Sequence, residues 1–374
     1  MLQLTNTSLS SVSTTEKINW LRLCRSEKIG PITFFRLLKA FGSVEEAIKE
    51  LPIFSKNKIS AAPKEIALRE LEATEKFGAE IITFNDKSYP KLLREIANPA
   101  PILTIKGDVD FFQNNLVAVV GARNASLNSI SFAKKLALDL GQNSITTVSG
   151  MARGIDAAVH SASILSGTIG VVAGGIDHIY PKENSDLFAQ VATHGLLISE
   201  NAFGTQPFAG NFVQRNRLIS GLSLAVVIVE AGLKSGSLVT ARFAAQQGRE
   251  VFAVPGSPFD PRCQGSNRLI KDGANMFETV DDILEEIPQL KRRAKEIIED
   301  SEPLAALTHY DSKNEEISKT SREILRILSF SPTSIDDLTR ELHLPASIVN
   351  AALVRLELAE KITNNSGKVL LTSE

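Results

Sequence analysis

The chain of 374 residues is 43% hydrophobic and 22% charged, a composition typical of folded globular proteins and unlike collagenous, fibrous or largely disordered chains. Its 41 Lys and Arg residues nearly balance its 43 Asp and Glu residues, which excludes a histone-like binder that relies on bulk positive charge. A nucleic-acid site would therefore have to be local, and the length predicts two or three domains.

The start of the chain carries no targeting pattern. The first 15 residues are rich in Ser and Thr and lack the basic start and apolar block of a secretory signal, so we predict a disordered tail at 1–15. No apolar run approaches the roughly 20 residues of a membrane helix, so no membrane contact is expected. Cys24 and Cys263 lie far apart without partners at metal-ligand spacing, which predicts no metal site and favours a reducing cytoplasm.

Residues 16–80 have the pattern of a small helical domain. Gly42 is a predicted helix stop, Ser43 is a predicted N-cap, and the helices are expected at Ile18–Cys24, Ile32–Phe41, Val44–Leu51 and Pro63–Phe77. The turn Ile29-Gly30-Pro31 resembles a helix-hairpin-helix element, whose backbone amides can hold a DNA phosphate. A packed helical corner has the same pattern, so both interpretations stay open.

From residue 81 to 287 the pattern changes to alternating strands and helices. Each apolar run ends in a glycine or a polar residue and then opens a helix; the runs are Val117–Val120, Thr146–Ser149, Gly170–Ala173, Leu196–Ser199, Ala225–Val229 and Val251–Val254. This alternation predicts an α/β domain with a parallel sheet covered on both faces. Ligands of such sheets bind at the carboxyl ends of the strands, so the junctions after the strands are the candidate sites.

The C-terminal part is predicted to be a linker at 288–318 followed by a winged helix at 319–374. Three helix patterns, at Ser321–Leu328, Ser334–Leu342 and Pro345–Leu358, precede a strand pair within Lys361–Leu371. Residues 319–374 hold 7 basic and 7 acidic residues. Because duplex-reading winged helices bring excess positive charge to the phosphates, we expect an auxiliary or protein-interaction module here.

The first two junctions pair glycines with arginines. Gly121 and Arg123 follow the first strand, and Gly150 and Arg153 follow the second. Neither junction matches the dinucleotide or P-loop spacing, but free helix-start amides beside an Arg suit an anion. Alternatively, Arg123 pairs with a nearby carboxylate and Arg153 is neutralised by Asp156.

Later junctions add rings and cations. Tyr180 and Lys182 offer a stacking face and a phosphate contact, the combination that single-strand binders use, although a packed Tyr and a solvated Lys fit equally well. Arg215 and Arg217, interleaved with Phe, either contact DNA or tie loops together through carboxylates. Lys234 lies in another predicted helix-start anion nest.

Signals of catalysis are missing. The five histidines form no metal-binding motif, no G-x-S-x-G elbow occurs, and the carboxylates are spread singly over loops. We therefore predict a protein that is not an enzyme and has no cofactor.

At this point the chain resembles the DprA/Smf family of DNA-processing proteins. The resemblance is carried, in this order, by the strings VAVVGAR, SGMARGID, GGIDHIYPKEN, RNRLISGLS, VVIVEAGLKSGSLVTA, GREVFAVPG and QGSNRLIKDGA. It implies a Rossmann-like core between a small helical (SAM or helix-hairpin-like) domain and a winged helix. It also implies a protein that binds and protects incoming single-stranded DNA, helps load the RecA recombinase in natural transformation and dimerises through the Rossmann-like domain.

The resemblance also implies site residues. Arg123 and Lys182 would line the DNA pocket, and Gly150 and Arg153 would approach the phosphates. Ala122 stands where the family commonly has Ser, which removes one hydroxyl donor.

The alternative is an enzyme. Phosphoribohydrolases of the lysine-decarboxylase-like group share this Rossmann variant and carry an acidic catalytic residue after a Pro-Gly-Gly-x-Gly-Thr loop. The corresponding stretch, 235–240, supplies no acid. A third hypothesis, a transcription regulator, is weakened by the neutral charge of the predicted winged helix.

Overall fold

The computed structural model describes residues 12–56, 58–290 and, toward the C-terminus, 320–321, 323–325, 327–328, 333–342, 344–358, 361–365 and 368–371. These described residues form two compact units, one up to residue 290 and one from residue 320. Residues 1–11 of the predicted tail and 291–318 of the predicted linker lie outside the described residues. The tail prediction is wrong at its end, because the first helix already begins at Thr14.

The helices before the sheet lie where their sequence patterns predict them. Their bounds are α1 Thr14–Cys24, α2 Pro31–Phe41, α3 Val44–Phe54 and α4 Lys64–Lys76. The Ser43 hydroxyl accepts a hydrogen bond from the Glu46 amide (3.2 Å) at the start of α3, and Gly42 ends α2 with a φ of 77°. The predicted cap and the predicted stop are both confirmed.

This helical segment shares a hydrophobic core with the sheet. Trp20 contacts Phe34 with 4.9 Å between ring centroids, and Phe35 contacts Phe84 at 4.8 Å. Phe84 directly follows the first strand, so the aromatic cluster spans both parts of the unit. The division between a helical domain and a sheet domain at residues 80 and 81 stays a prediction.

Within residues 58–290 the strands form one nine-stranded sheet. The strands are β1 Glu80–Thr83, β2 Ile102–Gly107, β3 Asn115–Val120, β4 Ile145–Ser149, β5 Thr168–Val171, β6 Leu196–Ser199, β7 Ala225–Ile228, β8 Glu250–Ala253 and β9 Asn275–Met276. Their order is β1-β2-β6-β5-β4-β3-β7-β8-β9. The predicted strands correspond to β3 through β8.

The predicted parallel core is confirmed, and two strands that the sequence patterns did not predict add an antiparallel edge to it. The seven neighbouring strands β6-β5-β4-β3-β7-β8-β9 all pair in parallel. At the other end of the sheet, β2 pairs antiparallel with β6, and β1 pairs antiparallel with β2. Gly107, at the end of β2, has a φ of 119°, and a Cβ there would lie 2.2 Å from the Gly195 carbonyl oxygen. A glycine is therefore required where the antiparallel edge meets the chain before β6.

Helices cover both faces of the sheet, as predicted. Their bounds are α5 Lys91–Arg94, α6 Leu127–Gln142, α7 Ile155–Ser163, α8 Ser185–His194, α9 Ala209–Leu222, α10 Ser237–Gln246, α11 Gln264–Lys271 and α12 Val280–Glu286, with 3-10 turns at Val109–Gln113 and Lys182–Asn184. The residues of β4 through β7 are all buried, which a sheet covered on two faces requires. Strand β3 lies between β4 and β7, so the chain changes direction along the sheet there. Such a switch point is where open α/β sheets bind ligands.

The described C-terminal residues have the order of a winged helix. Strand β10 (Thr333–Ser334) precedes α13 (Ile335–Leu342) and α14 (Ala346–Leu358), and β11 (Ile362–Asn365) pairs with β12 (Lys368–Leu371). Ile324, Leu338, Leu353 and Val369 pack into one core. The winged-helix prediction is confirmed, and β10 is an addition to it. In neither unit does a described helix have the length and apolar character to cross a membrane.

Candidate nucleic-acid interface

A cleft of about 440 Å³ opens at the carboxyl ends of β3 and β7. It is lined by the loop after β3, the loop after β7 and the first turns of α9, which contribute Gly121, Arg123, Lys234, Phe212 and Asn216. A Cβ at Gly121 would lie 2.6 Å from the Ile155 side chain, so only glycine lets the loop after β3 approach α7 this closely. Four of the predicted site residues therefore line the cleft, namely Gly121, Arg123, Arg215 and Lys234.

Arg123 and Tyr180 come from different junctions and meet through a residue that the sequence analysis did not select. The Arg123 guanidinium carbon lies 5.0 Å from the centroid of the Phe212 ring, a cation–π distance. The other neighbour of Phe212 is Tyr180, with 5.2 Å between ring centroids and 58° between planes. Tyr180 remains 45% exposed. We call Arg123, Phe212 and Tyr180 the aromatic strip.

Lys182 lies just beyond the aromatic strip, in the 3-10 turn after Pro181. Its side chain is exposed. The neighbouring Glu183 pairs with Arg153 (2.6 Å), and both side chains are more than half exposed. The structure therefore joins the second and third junctions at the surface. The alternative that Asp156 neutralises Arg153 is wrong, since the Arg153 ion pair is with Glu183.

Arg215 is buried, and its guanidinium group donates hydrogen bonds to backbone carbonyl oxygens instead of facing solvent. Its Nη1 donates to the carbonyl oxygens of Gly150 (2.6 Å) and Val171. Burial lowers the pKa of Arg215 to about 10, and the charge of Asp156 opposes that change. A Cβ at Gly150 would lie 2.6 Å from the Arg215 guanidinium, so the glycine leaves room for the buried Arg.

Arg217 is also buried and has a carboxylate partner. Its Nη1 and Nη2 donate to Glu200 Oε1 (2.7 Å) and Oε2 (2.6 Å), a bidentate geometry. Glu200 follows β6, so the pair fixes α9 to the end of that strand. Arg217 is therefore held inside the protein, whereas Arg215 lines the cleft although it is only 4% exposed.

The N-cap amide of α6 has an internal partner, although the sequence predicts free amides at this junction. The Ser126 amide lies 3.2 Å from Glu230 Oε1, and the hydroxyls of Ser126 (2.7 Å) and Ser129 (2.8 Å) also donate to this carboxylate. Glu230 is only 1% exposed. An internal carboxylate thus fills the N-terminus of α6, the position at which Rossmann folds place a phosphate.

The second junction is filled in the same way. Asp156 accepts hydrogen bonds from the amides of Gly150 (3.1 Å) and Ala152 (3.3 Å). Burial raises the pKa of Asp156, and the charge of Arg215 and these amides oppose the rise. At both junctions an internal carboxylate therefore accepts from amides that were expected to be open to an anion. The exposed cations at this edge of the sheet are Arg123 and Lys234 in the cleft, Lys182 beyond it and Arg153, which pairs with Glu183.

Other polar groups near the sheet are internal. His160 is fully buried, its Nδ1 lies 2.7 Å from Thr168 Oγ1, and burial lowers its pKa to about 3. No cluster of three or more His, Cys, Asp or Glu with metal-binding geometry occurs in the described parts of the chain.

Three family models match consecutive parts of the chain. Residues 80–288 match the family described as DNA recombination-mediator protein A. Residues 14–73 match the DprA-like N-terminal HHH domain, and residues 309–368 match the DprA winged helix domain.

The alignments with individual relatives extend over most of each relative's length. The chain is 38% identical to DNA processing protein DprA of Bacillus subtilis, covering 72% of this chain and 95% of that protein. It is 31% identical to protein Smf of Synechocystis, covering 95% and 98%.

Solved structures are similar as well. DNA processing protein A of Streptococcus pneumoniae superposes with a TM-score of 0.63 at 29% identity, covering 73% of this chain and 98% of that one. A structure of DNA processing protein A from Helicobacter pylori, described for its single-stranded DNA binding mode, has a TM-score of 0.52 at 28% identity and covers 56% and 96%.

The buried pair of Arg217 and Glu200 leads to a stability prediction. Glu200→Gln leaves a buried guanidinium without its charge partner, so we expect a loss of about 3 kcal/mol in the free energy of unfolding. Arg217→Met should cost a similar amount, and the double variant should lose clearly less than the sum, because neither charge is then left unpaired. Urea unfolding of the four proteins measures this coupling. Additive losses would contradict the buried pairing.

Proposed function

Because the chain belongs to the DprA/Smf family of DNA recombination-mediator proteins, we propose that it binds single-stranded DNA across the cleft at the carboxyl edge of its sheet. The relative from Helicobacter pylori is described for the same type of ligand. We include in the proposal the protection of incoming DNA and the loading of RecA in natural transformation. Family membership supports these roles, together with a cytoplasmic location and a homodimer.

The aromatic strip is the observation that carries the binding site. Single-strand sites combine a positively charged groove for the backbone with rings on which bases stack. The aromatic strip supplies one cation and two rings that contact one another in the order Arg123, Phe212, Tyr180. Lys234, in the cleft, and Lys182, beyond Tyr180, extend this cationic path. Such a site contacts phosphates and base faces, and therefore favours single strands over duplexes without reading sequence.

The buried arginines act on this site by positioning α9. Arg215 lies three residues after Phe212 and joins α9 to the loop after β4 and to the last residue of β5. Arg217 joins the same helix to the end of β6 through Glu200. We assign both residues a positioning role, since their guanidinium groups face protein partners, and we assign Gly150 the role of making room for Arg215.

The alternative of a nucleotide-cleaving enzyme has less support. A bound nucleoside phosphate would compete with Glu230 for the N-terminus of α6. The stretch 235–240, which enters α10, supplies no carboxylate after the loop, where the phosphoribohydrolase pattern needs one, and its Ser235 and Ser237 hydroxyls lie 2.7 Å apart. We therefore propose a binding protein without hydrolytic activity.

The proposed phosphate contacts are tested by salt dependence. Arg123→Ala and Lys182→Ala should each weaken oligo-dT binding, and each should reduce the slope of log K against log salt by about 0.7, the value for one single-strand phosphate. Fluorescence anisotropy at several salt concentrations measures the slope, with duplex of equal length expected to bind more weakly throughout. Lys64→Ala, an exposed lysine of the helical segment, is the matched control and should leave affinity and slope unchanged.

Unchanged slopes for both Arg123→Ala and Lys182→Ala would contradict the site. Arg123→Glu should bind more weakly than Arg123→Ala, because it adds repulsion to a lost contact. A purely structural Arg would instead lower the melting temperature without changing the slope.

Stacking on Phe212 predicts a loss that does not depend on salt. Phe212→Leu should weaken oligo-dT binding by about 1–3 kcal/mol, the range for one stacked base, and leave the salt slope unchanged. An abasic strand should bind parent and variant equally. Phe259→Leu, which alters a ring that is 94% exposed in another loop, serves as control. Equal losses on oligo-dT and on the abasic strand would argue against stacking.

The exposed pair of Arg153 and Glu183 predicts a gain of affinity. Glu183→Gln removes a negative charge beside Lys182 and releases Arg153 for a phosphate. We expect severalfold tighter oligo-dT binding and a salt slope that is steeper by about 0.7. The same substitution at Glu72, an exposed residue of α4, should change neither quantity. Weaker binding by Glu183→Gln would show that the ion pair supports the site instead of competing with the ligand.

A further inference from the structure

The helical segment carries an apolar groove of about 250 Å³ that the proposed DNA site does not use. Leu37 of α2 and Leu51 of α3 form its floor and are 2% and 1% exposed. Phe54, at the end of α3, forms one wall and is 64% exposed. The adjacent Ile53 is 72% exposed. Contiguous apolar surface of this kind, bordered by polar residues, marks interaction sites in soluble proteins.

The walls of the groove are held in place by contacts inside the segment. Phe54 packs edge-on against Phe41, with 5.8 Å between ring centroids and 89° between planes. Two further lining residues are joined to each other, because the Ser55 hydroxyl accepts from the Ile59 amide (3.0 Å) and donates to the Ile59 carbonyl oxygen (3.1 Å). The groove is therefore formed before anything binds, which lowers the entropic cost of binding.

The two charged residues that line the groove are both lysines. They are Lys28 and Lys58, and both are exposed. Outside the lining, the exposed Lys56 follows Ser55, and the exposed Glu27 precedes Lys28. Lys28 and Lys56 have φ values of 63° and 53°, in the left-handed region that glycine or asparagine adopts at lower cost. Lysine therefore occurs at two positions whose backbone conformation favours glycine or asparagine.

We propose that this groove binds an acidic peptide segment of a partner protein. One bulky apolar side chain of the peptide would lie between Leu37, Phe54 and Ile59, while its carboxylates pair with Lys28 and Lys58. A nucleic acid fits the groove less well, because its aliphatic floor has no partners for the polar edges of a buried base. The groove is built from different residues than the DNA cleft, so this proposal does not depend on the proposed function.

The direct test uses fluorescein-labelled ten-residue peptides and the full chain. Each peptide carries a single Phe, Leu, Ile or Trp within a run of Asp and Glu. In the controls, Ser replaces the apolar residue or Lys replaces the acidic residues. At least one acidic peptide should bind about tenfold or more tightly than both of its controls, and its binding should weaken as salt is raised.

Variants locate the binding to the groove. Phe54→Ser should weaken the best peptide about tenfold, and Lys58→Glu about three- to tenfold, whereas Lys64→Glu and Arg123→Ala should leave it unchanged. Circular dichroism shows whether the Phe54→Ser protein is folded. Because Lys58 is exposed, Lys58→Glu should leave the fold intact and provides the test if the Phe54→Ser protein unfolds.

Three results would overturn the proposal. The first is that no acidic peptide binds more tightly than its serine control. The second is that Lys58→Glu weakens oligo-dT binding as strongly as Arg123→Ala does, which would make the groove a nucleic-acid surface. The third is that Phe54→Ser lowers the mass of the protein in sedimentation, which would assign the groove to a second copy of the chain.

Discussion

The buried guanidinium of Arg215 is the constraint on which the arrangement of the site depends. A charge that is removed from water must be compensated by hydrogen bonds and by an opposite charge, and here Gly150, Val171 and Asp156 provide them. These partners lie in the loop after β4, at the end of β5 and at the start of α7, so one side chain of α9 connects three parts of the sheet edge. The requirement for glycine at position 150 follows, because any Cβ there would meet the guanidinium. With α9 held in this way, Phe212 is presented one helical turn earlier, at the cleft.

The internal carboxylates change where this Rossmann-like sheet can bind phosphates. Such folds usually place phosphate at the N-terminus of the helix after the first strand. In this protein Glu230 occupies that position after β3, and Asp156 occupies the amides after β4. The cation sites are instead exposed side chains on separate loops. A row of separated cations with rings between them suits an extended polyanion better than a mononucleotide, which is the physical basis for proposing single-stranded DNA as the ligand.

Much of this architecture could be predicted from local sequence. The strands β3 through β8 are short apolar runs bounded by glycine or polar residues, and the helix caps at Ser43 and Gly42 are local signals. Contacts between distant residues could not be predicted this way. Arg153 pairs with Glu183, 30 residues away, rather than with the nearby Asp156. Arg217 has its partner 17 residues earlier, and nothing in the string Arg-Asn-Arg shows that both guanidinium groups turn inward. Phe212 has the appearance of an ordinary helix residue until Arg123 and Tyr180 are seen on either side of it.

Photo-crosslinking is the most direct test of the proposed path of single-stranded DNA across the aromatic strip. An oligo-dT carrying a single 5-iodo-deoxyuridine, irradiated in complex with the full chain, reacts preferentially with aromatic side chains in contact with the base, and mass spectrometry of the digest identifies them. We expect crosslinks at Phe212 or Tyr180 that disappear in the Phe212→Leu and Tyr180→Leu proteins and are reduced at high salt. Crosslinks confined to the helical segment at 14–76 or to the winged helix at 333–371 would contradict this path.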